Sequence, residues 1–156
     1  TNFANVVKIP EPQLQLVSLN DRVAACKMFM ETVCRNRNIT LHLTLCDENP
    51  HVRMDTSLFE QVLVNIIKNA AESIGEEGNI FIRTSVFPTM LEIADTGAGI
   101  SKEVEAKLFS PFFSTKPNGQ GIGLIFIREV LMKHGCTFSL RTYSDGLTRF
   151  RIRFSA

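Results

Sequence analysis

The sequence lacks the features that are typical of membrane-spanning proteins, of proteins stabilised by metals or disulfides, and of strongly charged proteins. Its four cysteines form no C-x-x-C pair and have no histidine at ligand spacing, which argues against a zinc site and a disulfide framework. Its apolar runs, such as 122–127, stop well short of the roughly 18–20 residues that a membrane span requires. Its 17 basic and 16 acidic residues give a net charge of +1, too little to attract nucleic acid or anionic lipid broadly. We therefore expect reduced thiols, a cytoplasmic domain, no nucleic acid partner and no membrane contact by this domain.

What the sequence does contain predicts one compact domain. It has 156 residues, of which 44% are apolar and 12 are phenylalanine, enough to build a core without disulfides or metals. Because it begins with Thr1 rather than Met, we expect it to be a piece of a longer polypeptide. Pro10 and Pro12 interrupt a mixed opening stretch. We assign residues 1–18 to a linker and residues 19–156 to the domain.

The periodicity of apolar residues predicts alternating helices and strands. Three- and four-residue spacing indicates helices, and Asn20 and a Ser57/Glu60 capping box are the expected N-caps of the first two. Two-residue alternation indicates strands, the last two forming a hairpin around Asp145-Gly146. The pattern predicts an α+β, two-layer sandwich in which one mixed, mostly antiparallel sheet packs on about three helices. Helices are expected near 20–36, 57–74, 102–108 and 123–134, and strands near 39–45, 80–86, 90–94, 137–143 and 147–154.

A polar stripe lies on the helix expected at 57–74. At 100° per residue, Asn65, Asn69 and Glu72 fall within about 60° of one another on that helix. Amide and carboxylate oxygens are ligands that Mg²⁺ accepts, one or two from the protein and the rest from water and phosphate. The stripe therefore indicates either a magnesium site or an ordinary solvated helix face.

A second motif, Asp95-Thr96-Gly97-Ala98-Gly99-Ile100, follows a predicted strand directly. The glycines let the backbone approach a flat ligand, and the carboxylate of Asp95 can accept a hydrogen bond from an exocyclic amine. A tight turn carrying a surface aspartate explains the same six residues.

A third motif, Gly119-Gln120-Gly121-Ile122-Gly123-Leu124, opens a predicted helix. Glycines expose successive N–H groups, and the helix N-terminus adds partial positive charge, so phosphate oxygens can bind there. The spacing is not that of a dinucleotide-binding fingerprint.

Between the second and third motifs lies a Gly-, Pro-, Ser- and Thr-rich stretch with an aromatic cluster from Phe109 to Phe113 and one cation, Lys116. We expect residues 110–120 to form a lid, although the phenylalanines also suit a small hydrophobic cluster.

Taken together and in this order, the motifs resemble those of the catalytic ATP-binding domain of sensor histidine kinases. Asn65 to Ala70 is similar to the N box of that family, Asp95 to Gly99 to the first glycine box, Phe109 to Phe113 to the F box, and Gly119 to Leu124 to the second glycine box. The resemblance covers roughly residues 19–154. Its wider relatives are the ATPase domains of DNA gyrase B, MutL and heat-shock chaperones, the GHKL superfamily. The short lid is most similar to that of kinases of the nitrogen-regulation type.

The resemblance implies the roles of individual residues. Asp95 would accept from the adenine amine with support from Thr148, Gly97 and Gly99 would shape the adenine pocket, and Asn69 would hold Mg²⁺. Asn65 and Lys116 are implied to act in catalysis, near the phosphates and from the lid. The residues implied to bind ATP are Asn65, Asn69, Asp95, Gly97, Gly99, Ile100, Phe113, Lys116, Gly119, Gly121, Gly123, Leu124 and Thr148.

The residue type at position 65 discriminates between reactions. Hydrolytic relatives carry a glutamate there as general base, whereas the amide of Asn65 cannot take a proton at neutral pH. Phosphoryl transfer to a neutral imidazole needs mainly positioning and charge neutralisation. The resemblance thus implies a protein-histidine kinase that uses ATP and Mg²⁺.

None of the three histidines, His42, His51 and His134, lies in a two-helix hairpin, so we expect no autophosphorylation of the chain alone. The resemblance implies an upstream dimerisation and phosphoacceptor domain, a response regulator as partner, and a homodimeric parent protein that can be membrane-anchored. A non-catalytic ATP-sensing module and a serine kinase of the anti-sigma type remain as alternatives.

Overall fold

The computed structural model describes residues 8–109 and 122–155. Within these two ranges the chain forms seven strands and five helices. They are, in chain order, β1 (Gln15–Ser18), α1 (Leu19–Ala25), α2 (Lys27–Arg35), β2 (Ile39–Thr44), β3 (His51–Met54), α3 (Thr56–Ile74), β4 (Gly78–Val86), β5 (Thr89–Asp95), α4 (Lys102–Glu105), α5 (Ile122–Lys133), β6 (Thr137–Thr142) and β7 (Thr148–Arg153).

Five of the strands form one sheet in the order β2-β4-β5-β7-β6. β2 runs parallel to β4, and the other neighbouring pairs are antiparallel. This arrangement confirms the predicted mixed, mostly antiparallel sheet. β1 and β3 pair antiparallel in a separate two-stranded sheet.

The two faces of the five-stranded sheet follow from residue alternation. On β7, Thr148, Phe150 and Ile152 are buried, while the arginines between them point the other way. The inward face packs against the helices, chiefly α3, which has α2 and α5 as neighbours. The two layers therefore enclose one apolar core, as the pattern predicts. Its fully buried members include Leu19, Met30, Met54, Leu63, Ile67, Ile80, Ile82, Leu91, Ile93, Ile127, Leu131 and Ile152.

The first helical stretch differs from the prediction at its start and in its middle. The N-cap is Ser18, whose hydroxyl accepts from the N–H of Asp21, and not Asn20. The side chain of Asn20 is buried and makes tertiary hydrogen bonds instead, accepting from the Thr84 hydroxyl and donating to the carbonyl of Cys46. The predicted single helix is also divided at Cys26 into α1 and α2.

The predicted capping box of α3 is likewise wrong. Asp55 is the N-cap, and its carboxylate accepts from the N–H of Leu58, so the observed cap lies two residues before the predicted cap Ser57. β3 was not expected, although His51 to Met54 alternate exposed and buried residues. Pairing with β1 stabilises this four-residue segment, which is too short to stand out in the sequence.

The remaining elements lie close to their predicted positions. The hairpin of β6 and β7 and the strands β2, β4 and β5 are confirmed, and α4 ends at Glu105, earlier than predicted. The four cysteines are free thiols. Among the described helices, none has the length and apolar character needed to cross a membrane.

Candidate functional site

The two predicted asparagines lie one turn apart on α3, and both are half-buried. The amide of Asn65 donates to the carbonyl of Gln61 at 2.9 Å, which fixes its NH₂ group along the helix and leaves Oδ1 facing away from that bond. Glu72, the third member of the stripe, is exposed. The structure therefore places two amide side chains at the edge of the apolar face of α3.

The start of α5 lies next to Asn65. A Cβ built on Gly123, in the first turn of α5, would lie 3.8 Å from Oδ1 of Asn65, which is ordinary van der Waals contact. Both the N-terminus of a helix and an amide oxygen therefore face the same space. α5 has 12 residues, long enough for its N-terminal N–H groups to favour an anion.

Asp95 ends β5 and is almost completely buried, with 6% of its surface exposed. Its Oδ1 accepts from the N–H of Gly97 at 2.8 Å. Burial raises the pKa of Asp95 to about 6, and the hydrogen bond from Gly97 opposes part of that rise. At pH 7 and above the group is mostly a desolvated carboxylate, which accepts hydrogen bonds strongly.

The loop after Asp95 touches the C-terminal end of α3. A Cβ on Gly97 would lie 2.8 Å from the backbone carbon of Ser73, closer than real Cβ contacts, so glycine is required by this approach. The N–H of Ala98 also donates to the carbonyl of Ser73 at 3.3 Å. Ser73 follows Asn69 by one turn, so the loop brings Asp95 and the asparagines into one site.

Thr142, at the end of β6, was not predicted as a site residue, yet it anchors this loop. Its hydroxyl accepts from the N–H of Ile100 at 2.7 Å and lies 2.7 Å from the hydroxyl of Thr148. Gly99 has φ +81°, and a Cβ there would come within 3.2 Å of the Thr142 hydroxyl. Thr142 thus fixes the end of the second motif against the sheet.

Thr142 also connects the loop to the next helix. Its N–H donates to the carboxylate of Glu105 on α4 at 3.2 Å. Thr148 is buried and pairs across the strands with Asp95, but its hydroxyl is bonded to Thr142. The structure places Thr148 opposite Asp95 in the strand register, with its hydroxyl on Thr142, and the support of Asp95 by Thr148 stays a prediction. The period-two pattern of β6 would have revealed that residues 142 and 148 face inward together.

Several predicted residues fall outside the described part of the chain. They are Phe113, Lys116, Gly119 and Gly121, together with the rest of the predicted lid at 110–120. Leu124, by contrast, is half-buried on α5 and packs against the core.

The donor set suits a metal that takes few protein ligands. Among the described residues, no three histidine, cysteine, aspartate or glutamate side chains converge as a metal centre. Mg²⁺ usually keeps several waters and binds through one or two protein oxygens plus substrate phosphates. The half-buried Asn69, one turn from Asn65 on α3, is of the residue type that suits a cation arriving with a nucleotide.

Comparison with known families agrees with this geometry. Residues 54–156 match the family described as histidine kinase-, DNA gyrase B- and HSP90-like ATPases. The match begins at the end of β3 and takes in every element that contributes a residue to the site.

Similar curated proteins are sensor proteins, some of them sensor histidine kinases. The chain is 32% identical over 152 residues to the C4-dicarboxylate transport sensor protein DctS of Rhodobacter capsulatus, covering 94% of this chain and 23% of that protein. It is 30% identical over 154 residues to the sensor histidine kinase ZraS of Escherichia coli O157:H7, covering 97% of this chain and 34% of that protein. The chain thus spans about a quarter to a third of the length of these relatives.

A solved structure shares the fold. The catalytic domain of the histidine kinase ThkA superposes with a TM-score of 0.82 at 28% identity, covering 91% of this chain and 95% of that one. ThkA has also been solved in complex with the response regulator protein TrrA; that chain matches with a TM-score of 0.73 at 26% identity, covering 92% of this chain and 42% of that one.

Proposed function

Because this chain belongs to the family of histidine kinase-, DNA gyrase B- and HSP90-like ATPases, we propose that it binds Mg-ATP and transfers the γ-phosphoryl group to a histidine on a separate dimerisation domain. The observation that carries the proposal is the convergence of the first two predicted motifs with the described end of the third, at the start of α5. The Asp95 loop meets α3 at Ser73, and α5 meets α3 at Asn65. One ligand that has a base at one end and phosphates at the other fits this arrangement.

Asp95 supplies the recognition of the base. Its buried carboxylate accepts from the exocyclic amine of adenine, while the loop fixed by Gly97 and Gly99 leaves room for a flat ring. Guanine presents a carbonyl oxygen at the corresponding position and would repel the carboxylate. The raised pKa of about 6 still leaves the group ionised at neutral pH.

The α3 asparagines and α5 supply the phosphate end. Asn69 holds Mg²⁺ through its amide oxygen, and the N–H groups at the start of α5 take up phosphate charge. Phosphoryl transfer depends mainly on such positioning and charge neutralisation. Lys116, Phe113, Gly119 and Gly121 are proposed to complete the phosphate site from the segment that precedes α5.

Transfer is favoured over hydrolysis because Asn65 cannot act as a general base for water. The acceptor is proposed to lie outside this chain. His42 stacks on Phe81, with ring centroids 4.5 Å apart, and His51 lies in β3. His134 is held on both nitrogens, by the N–H of Asp55 and the carbonyl of Val130.

The relatives suggest the setting of the whole protein. We infer an upstream dimerisation and phosphoacceptor domain, a homodimeric parent that can be membrane-anchored with this domain in the cytoplasm, and a response regulator as the downstream partner, as in the complex of ThkA with TrrA. A non-catalytic ATP sensor and a serine kinase of the anti-sigma type share the nucleotide site and differ only in the acceptor.

A two-part experiment tests the proposal. Calorimetric titration should show that Asp95→Asn weakens ATP binding by roughly 10–150-fold. This range corresponds to the loss of one hydrogen bond to a charged group, which contributes about 1.5–3 kcal/mol. GTP should bind the wild type poorly, and equal affinity for both nucleotides would contradict the adenine assignment.

The second part uses γ-labelled ATP with and without the phosphoacceptor domain of the parent protein. Acid-labile label should appear only on that added domain, and the chain alone should stay unlabelled. Label on a serine of a partner would favour the anti-sigma type of kinase, and binding without any transfer would favour the sensor.

A further inference from the structure

The outward face of the five-stranded sheet has a composition unlike the rest of the chain. Its strand positions hold five of the ten arginines and none of the seven lysines. Against them stand two carboxylates, Glu92 on β5 and Asp145 in the turn after β6, so this face carries +3 in a chain whose total is +1. We call it the arginine face; its arginines are Arg83, Arg141, Arg149, Arg151 and Arg153.

The centre of the arginine face is a fixed network. Glu92 is buried, with 4% exposed, although it points away from the helices. Its carboxylate lies 2.8 Å from Nε of Arg151, 3.4 Å from Arg83 and 3.7 Å from Arg149. The guanidiniums of Arg149 and Arg151 also lie over the ring of Tyr143, at 4.8 and 4.7 Å from its centroid. These arginines are held in place before any partner arrives, so binding would cost them little conformational entropy.

Around this centre, other side chains remain available. Arg141 and Arg153 are exposed and make no ion pair with another residue of the described chain. Met90 is half-exposed beside Arg153, and Phe87, at the tip of the β4–β5 hairpin, is 95% exposed. Arginine, tyrosine, phenylalanine and methionine are the residues enriched at protein interfaces, whereas lysine is depleted there. An ordinary solvated sheet face would be expected to carry lysine as well.

We propose that the arginine face docks an acidic surface of a protein partner. Carboxylates pair with guanidiniums in bidentate geometry, and the net charge of +3 attracts a surface of opposite sign. A protein partner is favoured over a nucleic acid because the exposed Phe87 and the half-exposed Met90 border the face, and phenylalanine and methionine are enriched at protein interfaces. The proposal is independent of the ATP site, which lies on the opposite side of the sheet.

An oligoglutamate peptide is a suitable probe for this surface. Titration at low ionic strength, followed by amide NMR shifts, should perturb residues of β5, β6 and β7 and leave α2 and α3 unchanged. Binding should weaken as salt rises to physiological strength. Failure of the peptide to bind, or tighter binding of oligothymidylate, would overturn the proposal.

Two charge-matched double variants locate the site. Arg141→Glu with Arg153→Glu should lower peptide affinity about tenfold or more, because two partners are replaced by repulsive groups. Lys27→Glu with Arg35→Glu, exposed on α2, changes the net charge equally and should lower it less than about twofold. Equal losses would show that only the total charge matters and would refute the arginine face as a site. ATP binding of both variants checks that they fold and separates this result from the proposed kinase activity.

Discussion

Two buried carboxylates on β5, Glu92 and Asp95, lie on opposite faces of the sheet and have opposite surroundings. Glu92, on the outward face, is surrounded by Arg83, Arg149 and Arg151. Asp95, on the inward face, accepts one N–H from its own loop, and the described residues record no cation beside it. Exposure is nearly the same, 4% and 6%, so burial alone does not distinguish them.

The difference separates a carboxylate that is paired within the chain, Glu92, from one that we propose binds a ligand, Asp95. A buried carboxylate is costly unless it is paired or hydrogen-bonded, and Glu92 meets that requirement within the chain. Asp95 meets it only in part, through the single hydrogen bond from Gly97, and burial raises its pKa to about 6. This contrast supports the proposal that the remaining partner of Asp95 is a bound molecule.

The largest expected effect is the loss of stability on removing Glu92, the carboxylate that is paired within the chain. Glu92→Ala leaves three guanidiniums close together without their common partner. It should lower the free energy of unfolding by about 3 kcal/mol, which is the lower end of the range for a broken buried ion pair. The lower end applies because Arg83 is largely exposed. Chemical denaturation measures it. Glu31→Ala, an exposed glutamate on α2, is the control and should stay within about 0.5 kcal/mol. The folded fraction of Glu92→Ala should bind ATP with the affinity of the wild type. If ATP affinity falls by more than the unfolded fraction explains, the two faces of the sheet are not independent.

Asp95→Asn should act in the opposite direction on stability. The folded pKa of about 6 lies above the unfolded value of about 3.9, so the wild-type contribution is complete below pH 4 and is lost as the pH rises through 6. The variant does not titrate there. Its stability relative to the wild type should therefore rise between pH 4 and 7 by about 2–3 kcal/mol. Denaturation curves across that range measure it, and a difference that stays constant with pH would show that Asp95 is not a desolvated carboxylate.

These two carboxylates also show what sequence can and cannot predict. Asp95 stands in a local motif, so its position at a strand end beside Gly97 and Gly99 could be read directly. The arginines around Glu92 come from β4 and β7, and their meeting depends on strand order, which alternation alone does not determine. The sequence therefore predicted the candidate site better than the outward face.

The errors in local structure have the same origin. Asn20 and Ser57 are good N-cap residues by propensity, but Asn20 is used in hydrogen bonds to Thr84 and Cys46, and Asp55 caps α3 first. Long-range contacts favour both outcomes, because the carboxylate of Asp55 also accepts from the N–H of Gln13. The fold class and most strands were predictable because their apolar alternation is continuous.

Asn69→Ala tests the metal-binding part of the proposed ATP site. If the amide oxygen holds Mg²⁺, the variant should bind ATP about tenfold more weakly in Mg²⁺ and almost normally in EDTA, since the lost oxygen acts through the cation. Calorimetry in both buffers measures the ratio. Gln61→Ala, two turns earlier on α3 and exposed, should change neither value. A weakening of the same size in EDTA would assign Asn69 to the support of the helix instead.

Thr142→Val has the smallest expected effect on ATP affinity and tests how the loop after Asp95 is held in position. Valine keeps the shape of the side chain but removes the acceptor of the Ile100 N–H and the partner of the Thr148 hydroxyl. The loss of an ordinary hydrogen bond, about 1 kcal/mol, should weaken ATP binding about fivefold through a less ordered Asp95 loop. Thr142→Ser retains the hydroxyl and should restore most of the affinity, whereas Thr137→Val, exposed on the same strand, should leave it unchanged. Unchanged ATP affinity in Thr142→Val, with an intact fold by circular dichroism, would mean that the loop after Asp95 is held by its contact with Ser73 alone.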